Sequence, residues 1–189
     1  IGIYSNDFKN IATEETEVSS NSFLERVVID WEAASAVFKT MNIKVTTLRI
    51  GLVIAANGGV VAAMKIPILF GLGAAFGNGS QGQSWIHIKD LVGIILFAVT
   101  TKLEGIYNAV APNPVSQTHF ITALAKAINR SHILPPLPEF IIQLMVGEMS
   151  SLLLDSHWVS SKKIEGQGFS FQYPEINIAF KELFNKSMV

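Results

Sequence analysis

The chain has 189 residues, enough for one domain with a sizeable core, and carries a formal net charge of −1 with 49% hydrophobic and only 15% charged residues. Its charges are scattered, so the basic stripe that nucleic acid requires is missing. It has no cysteine, which excludes disulfides, thiolate metal sites and cysteine nucleophiles and is compatible with a cytoplasmic setting. The longest apolar runs, Leu91–Val99 and Ile141–Val146, are too short to cross a bilayer.

In chain order, Ile1–Tyr4 reads as the end of a buried strand, an unusual way for a domain to begin, and implies that upstream sequence is missing. Ser5–Ser22 is polar and reads as a surface loop. Phe23–Met41 is predicted to be a helix, with Phe23, Val27, Trp31, Ala34 and Phe38 on one face. Ser22 or Asn21 caps it, and Glu25 completes a capping-box pattern with Ser22. Lys44–Ile54 is rich in β-branched residues and reads as a buried strand. After the Asn57-Gly58-Gly59 turn, Val60–Phe70 is a short helix bent or ended by Pro67.

Gly71–Gln83 reads as a Gly/Ala/Ser loop, Ser84–Ile88 as a short strand, Lys89–Thr101 as a helix with Asp90 as its N-cap, and Gly105–Ala111 as a strand. Ser116–Asn129 is a helix capped by Ser116. Three prolines (135, 136 and 138) stiffen the approach to an apolar helix, Glu139–Val146. Leu152–Ser160 is open between strand and helix. Gly166-Gln167-Gly168 turns the chain, and Pro174–Asn185 is a terminal helix. Alternating strands and helices predict an α/β fold with mainly parallel pairing. The excess of apolar residues predicts faces that need covering, and a sheet edge through which the chain self-associates.

Few residues carry chemistry. Arg49 lies in an apolar strand, where a charge must be paired; Glu32 on the preceding helix is the expected partner, and a ligand is the alternative. Alternation places Trp85, His87 and Lys89 on one face of their strand, with Lys89 in solvent. His87 offers acid–base capacity near neutral pH, but with no partner in sequence it reads as a partly buried histidine bonded to backbone. Asn108 and Asn113 suit turn stabilisation. His119, His132 and His157 are dispersed without metal-ligand spacing, so no metal is expected. The run from Gly71 to Gly79 lacks GxGxxG spacing and leads into a strand, so it is no dinucleotide-binding turn. No Gly-x-Ser-x-Gly occurs, which leaves a hydrolase elbow unsupported.

Three motifs fall in one order: Trp31-Glu32-Ala33-Ala34, then Trp85-Ile86-His87-Ile88-Lys89-Asp90-Leu91, then Asn108-Ala109-Val110-Ala111-Pro112-Asn113-Pro114. Together they resemble the atypical short-chain dehydrogenase/reductase group of NAD-dependent epimerase family proteins, along essentially the whole chain. The resemblance implies the C-terminal part of an extended Rossmann-type reductase. Residues 1–70 would be the remnant of the dinucleotide-binding domain, and 71–189 a small α/β substrate-side lobe. NAD or NADP would then be held mostly by a half preceding Ile1.

By the same resemblance Tyr4, Trp85, His87 and Asn113 contact a small-molecule substrate, and Tyr4, Gly51 and Leu52 approach the cofactor. For Tyr4, a hydroxyl in water is an equal alternative. Ordinary members carry a Tyr-x-x-x-Lys proton relay on the first helix. Anchored on Glu32, the relay positions hold Leu24 and Val28, and no Tyr-x-x-x-Lys occurs anywhere in the chain. Gln83 stands where extended epimerases place an arginine for the sugar-nucleotide phosphate. The expectation is therefore an epimerase- or reductase-like portion of unknown substrate, or a non-catalytic dinucleotide-sensing or scaffolding module.

Overall fold

A computed structural model describes residues 1–131, 134–150 and 154–185. His132 and residues 152–153 lie outside the described residues. Helix α1 (Phe23–Thr40) starts where expected: the Ser22 side chain accepts the Glu25 amide, and the Glu25 carboxylate accepts the Ser22 amide. The face it buries is not the one its strongest periodicity marks. Leu24, Val28 and Ile29 turn inward, while Phe23 and Trp31 are each 71% exposed and Phe38 is 51% exposed.

The predicted strand over Lys44–Ile54 is two strands, β1 (Thr46–Ile50) and β2 (Leu52–Ile54), broken at Gly51. β1 runs parallel to β5 (Gly105–Ala109), and β2 runs parallel to β4 (Trp85–His87). The main-chain ladder therefore changes partner at the break: Gly51 N–H donates to Ala109 O and Leu52 N–H donates to Ser84 O. β3 (Gly82–Gln83) pairs antiparallel with β6 (Val115–Ser116). Among the described residues β1 has no strand on its other edge.

Helix α2 (Gly59–Leu69) carries Pro67 in its last turn, where the missing N–H removes one i→i−4 bond, and the helix ends at Leu69. α3 (Ile88–Thr101) begins one residue earlier than expected. Its N-cap is His87, whose Nδ1 accepts the Lys89 amide at 3.2 Å; Asp90 sits in the first turn and instead accepts the amides of Gln172 and Tyr173. α4 (Gln117–Ala127) is capped by Ser116, and α5 (Glu139–Val146) follows the proline segment. A short helix α6 (Lys162–Gly166), unforeseen in the sequence, precedes the terminal α7 (Ile176–Asn185).

Ile54, Val61, Ile68, Trp85, Phe120, Leu124 and Phe180 form the main core, which joins α2, α4 and α7 to β2 and β4 across residue 70. A second cluster under α3 and α6 gathers Ile86, Ile94, Tyr107, Ala109 and Ile164. Ile3, Tyr4, Val110 and Val159 form a third beneath α1. Ile1–Tyr4 is a turn, closed by Tyr4 N–H to Ile1 O, and not the strand end that its β-branched residues suggest. Among the described residues Ile1–Tyr4 joins no sheet, although the Ile1 amine donates to Ile50 O at the end of β1.

Candidate functional site

In open α/β sheets ligands sit beyond the carboxyl ends of parallel strands, where strand order switches. Here that place is the break at Gly51, where β1 gives up β5 and the chain takes up β4. A cavity of about 230 Å³ opens there, bounded by Ile1 and Gly2, Leu24 of α1, Ile50-Gly51-Leu52, Gly82-Gln83-Ser84, Asp155 and His157. A larger cleft of about 490 Å³ lies between Lys44, Thr46 and the end of α3, at the amino end of β1, and so on the wrong side for such a ligand.

The back wall is a strap from Ser156 to Val159 laced onto β3 and Ser84. Gly82 N–H donates to Ser156 Oγ and His157 N–H to Gly82 O. Ser84 Oγ donates to His157 O at 2.7 Å and accepts the Val159 amide at 2.9 Å. Gly82 is required here because a Cβ would lie 2.5 Å from the Trp158 indole. The strap is fixed from outside too: Asn6 Oδ1 accepts the Ser156 amide, and Ala12 N–H donates to Trp158 O. The sequence alone leaves this segment open between strand and helix; it is irregular at 155–158, with Val159 bridged to Ala12.

Burial brings His157 down to about 4, so its imidazole is neutral at physiological pH, and its Nδ1 is buried with no hydrogen-bond partner in the protein. Burial, reinforced by the nearby Glu25 carboxylate, raises Asp155 above the ordinary carboxylate range. A neutral imidazole and a carboxyl group thus face the same space. Sequence reading missed both, because the strap approaches Gly51 only through pairings across more than seventy residues.

Of the residues singled out in the sequence, Gly51 and Leu52 border the cavity, as do Gln83 and Leu24. Tyr4 is 2% exposed, and its hydroxyl is in neither water nor the cavity. It donates to Asn108 Oδ1 at 2.7 Å and accepts from the Arg49 guanidinium at 2.9 Å, and burial raises its pKa. Arg49 finds the expected Glu32 in a two-pronged pair, Nε to Oε1 at 2.7 Å and NH2 to Oε2 at 2.9 Å, which holds the guanidinium above its already high range despite burial.

Trp85 and Asn113 bond to each other through Trp85 Nε1 and Asn113 O, within the wall joining β4 to α7. Asn113 Nδ2 also donates to Glu175. His87 is fully buried; its ring lies 4.0 Å from that of Tyr173, and its Nε2 is 3.2 Å from Glu182 Oε2. Desolvation lowers its pKa. Lys89 is exposed to solvent, as expected, and also pairs with Glu182 at 2.5 Å. Tyr4, Trp85, His87 and Asn113 therefore sit behind the cavity wall, locking elements together, and do not border its space.

The loop from Gly71 to Gly79 leads into β3 and not into a helix whose N-terminus could meet a pyrophosphate. Among the described residues no group of three or more His, Asp or Glu is placed to hold a metal ion, and no helix is long and apolar enough to cross a membrane.

Residues 137–183 match a family model described as a domain of unknown function, DUF1731. An epimerase family protein of Staphylococcus saprophyticus is 35% identical over 184 residues, covering 97% of this chain and 61% of that protein. One from Staphylococcus haemolyticus is 34% identical, covering 98% and 62%. The chain thus spans about three fifths of the length of the curated relatives it matches.

Among solved structures, the human epimerase family protein SDR39U1, crystallised with NADPH, superposes with a TM-score of 0.89 at 27% identity, over 98% of this chain and 63% of that one. A nucleoside-diphosphate sugar epimerase from Corynebacterium glutamicum gives 0.77 at 30% identity, over 97% and 36%. The fold is α/β with parallel strands, as in these Rossmann-type neighbours.

Proposed function

Since the chain is a homologue of the epimerase family proteins along almost its entire length, we propose that it forms the substrate-side portion of an NAD(P)-dependent epimerase- or reductase-like protein. Residues 1–70 continue a dinucleotide-binding domain, and 71–189 form the lobe that closes the substrate end. The observation that carries this reading is the cavity at the Gly51 break. It stands at the carboxyl end of β1, with Leu24 at the position where ordinary members hold the relay tyrosine. NADPH in the human neighbour supports a nicotinamide cofactor. Its phosphates fall to residues outside this chain, which has no glycine turn for them. A bound nicotinamide supplies or accepts hydride; this chain offers the wall against which the reacting carbon is positioned.

A second reading is favoured by one observation. Leu24 and Val28, both apolar, occupy the relay positions on α1. A protein that binds a dinucleotide without turning it over, as sensor or scaffold, fits them as well. Fluorescence titration of NADPH and NADH, into residues 1–189 and into a longer polypeptide carrying them, tests the main reading. Binding by the longer polypeptide alone is expected. Binding by neither, or tight binding by residues 1–189, overturns it. A screen of carbonyl compounds for cofactor oxidation then separates the two readings: turnover supports the first, and binding without turnover the second.

A further inference from the structure

The first turn of α3 is fastened to the C-terminal segment by one cluster of polar groups. The two oxygens of Asp90 accept the amides of Gln172 and Tyr173. Lys89 Nζ reaches Glu182 Oε1 on α7 and stands 5.6 Å over the Tyr173 ring. The fully buried His87 ring belongs to the same cluster, stacked 4.0 Å from the Tyr173 ring. Its Nε2 is 3.2 Å from Glu182 Oε2, without a well-aligned hydrogen bond. Among the described residues, the titratable and charged groups facing it are Glu182 from α7, Lys89 and Asp90 from α3, and Tyr173 from the segment before α7. Burial lowers the pKa of the ring; the Glu182 and Asp90 carboxylates oppose this and Lys89 reinforces it.

As the N-cap of α3, His87 Nδ1 accepts the Lys89 amide at 3.2 Å, so the neutral ring carries its proton on Nε2, on the side of Glu182. In the imidazolium both nitrogens donate. Nδ1–H would then confront the Lys89 N–H, donor against donor, and a positive charge would sit at a helix N-terminus, where the macrodipole opposes it. Glu182 offsets this only in part, because it already serves Lys89. We propose that His87 is an acid-operated latch: a proton taken up at Nδ1 uncaps α3 and loosens α7 together with the segment leading to it. α7 supplies Ile176, Ala179, Phe180 and Leu183 to the main core, and His87 ends β4 in register with Ile54 of β2. The latch thus joins the C-terminal cover of the core to the strand pair beyond the Gly51 break, and it does not depend on what the cavity there accepts.

Once open, the imidazole returns to its ordinary value of about 6.5, so the open state takes up the proton more readily than the closed one. Closure is favoured at neutral pH and is lost as pH falls below about 6.5, the opening constant rising by about tenfold per pH unit until the closed state itself protonates. The test is NMR of the nitrogen-15-labelled chain carrying His157→Gln, which removes the other strongly shifted imidazole. The His87 ring nitrogens and amide-exchange protection are read together as pH is lowered from neutrality. We expect the Nε2-protonated tautomer at neutral pH, and a fall in protection at the Lys89 amide and along α7 of about tenfold per pH unit. Adding His87→Asn keeps a short acceptor at the cap without a titrating ring, so its protection should stay flat over the same range. Glu182→Gln removes a carboxylate that favours the imidazolium; the His87 midpoint should move to lower pH and the loss of α7 protection should move with it. An Nδ1-protonated tautomer at neutral pH, or an equal fall with His87→Asn, overturns the proposal. Should His87→Asn not fold, a loss of α7 protection that ignores the shifted midpoint in Glu182→Gln overturns it instead. None of these outcomes bears on cofactor binding.

Discussion

A Cβ added to Gly51 would lie 2.6 Å from the carbonyl oxygen of Ser84 and 2.8 Å from Cγ1 of Val110. The first obstacle is main chain and cannot rotate away, so glycine is what lets β1 hand over from β5 to β4 and leave a cavity at the joint. Gly51→Ala is expected to destabilise the chain by about 1–3 kcal/mol through overpacking and to deform the cavity. Urea denaturation checks the first effect. An unchanged midpoint would mean that the two strands are free to separate.

Glu32 and Arg49 tie α1 to β1, with side chains 19% and 5% exposed. Removing one partner leaves a charge without compensation, so Glu32→Ala is expected to cost roughly 2–4 kcal/mol, discounted from the fully buried case for the partial exposure of Glu32. The joint replacement Glu32→Leu with Arg49→Met should cost less than Glu32→Ala alone. A double-mutant cycle by chemical denaturation measures both, and strict additivity would contradict the pairing.

Acid should loosen the back of the cavity. His157 is brought down to about 4 in the folded chain, against about 6.5 when unfolded. Between those values the unfolded chain binds the proton and the folded chain does not. Stability present at neutral pH is therefore lost as pH falls from about 6.5 toward 4, by up to roughly 3 kcal/mol. The lowered pKa of His87 works in the same direction. Unfolding midpoints at several pH values should slope less steeply for His157→Gln than for the unsubstituted chain. Identical slopes would contradict this burial of the imidazole.

Trp31 and the edge of β1, unpaired among the described residues, line a groove of about 420 Å³, and Trp31 and Phe38 lie open to solvent. Exposed strands and apolar stripes recruit partners. We propose that residues 1–189 on their own associate with themselves through this edge, seen as a rise in sedimentation coefficient with concentration. A strictly monomeric profile at high concentration would contradict it.

Local chemistry was legible where it is settled locally. Ser22 and Glu25 form the capping box that their spacing announces, and Arg49 finds Glu32 because a charge in an apolar strand has few ways to be satisfied. The break at Gly51 was not legible, since both flanking segments have the same β-branched composition and the change of partner is decided by Ser84 and Ala109 far along the chain. Periodicity on α1 identified a real apolar stripe but could not say that Leu24 and Val28, and not Trp31, turn toward the core. His87 displaced Asp90 as the cap because its Nδ1 reaches the Lys89 amide first, freeing Asp90 for the amides of Gln172 and Tyr173. Asp155 and His157 carried no local signal, because only the lacing of the strap through Ser84 brings them to the cavity.

The most direct measurement is a crystal structure of a longer polypeptide carrying this chain, grown with NADPH. The nicotinamide ring is expected at the cavity mouth, between Leu24 and the Gly51–Ser84 joint, with the pyrophosphate on residues outside 1–189. A nicotinamide in the cleft beside Lys44 and Leu103, or a pyrophosphate seated on the loop from Gly71 to Gly79, would contradict the account.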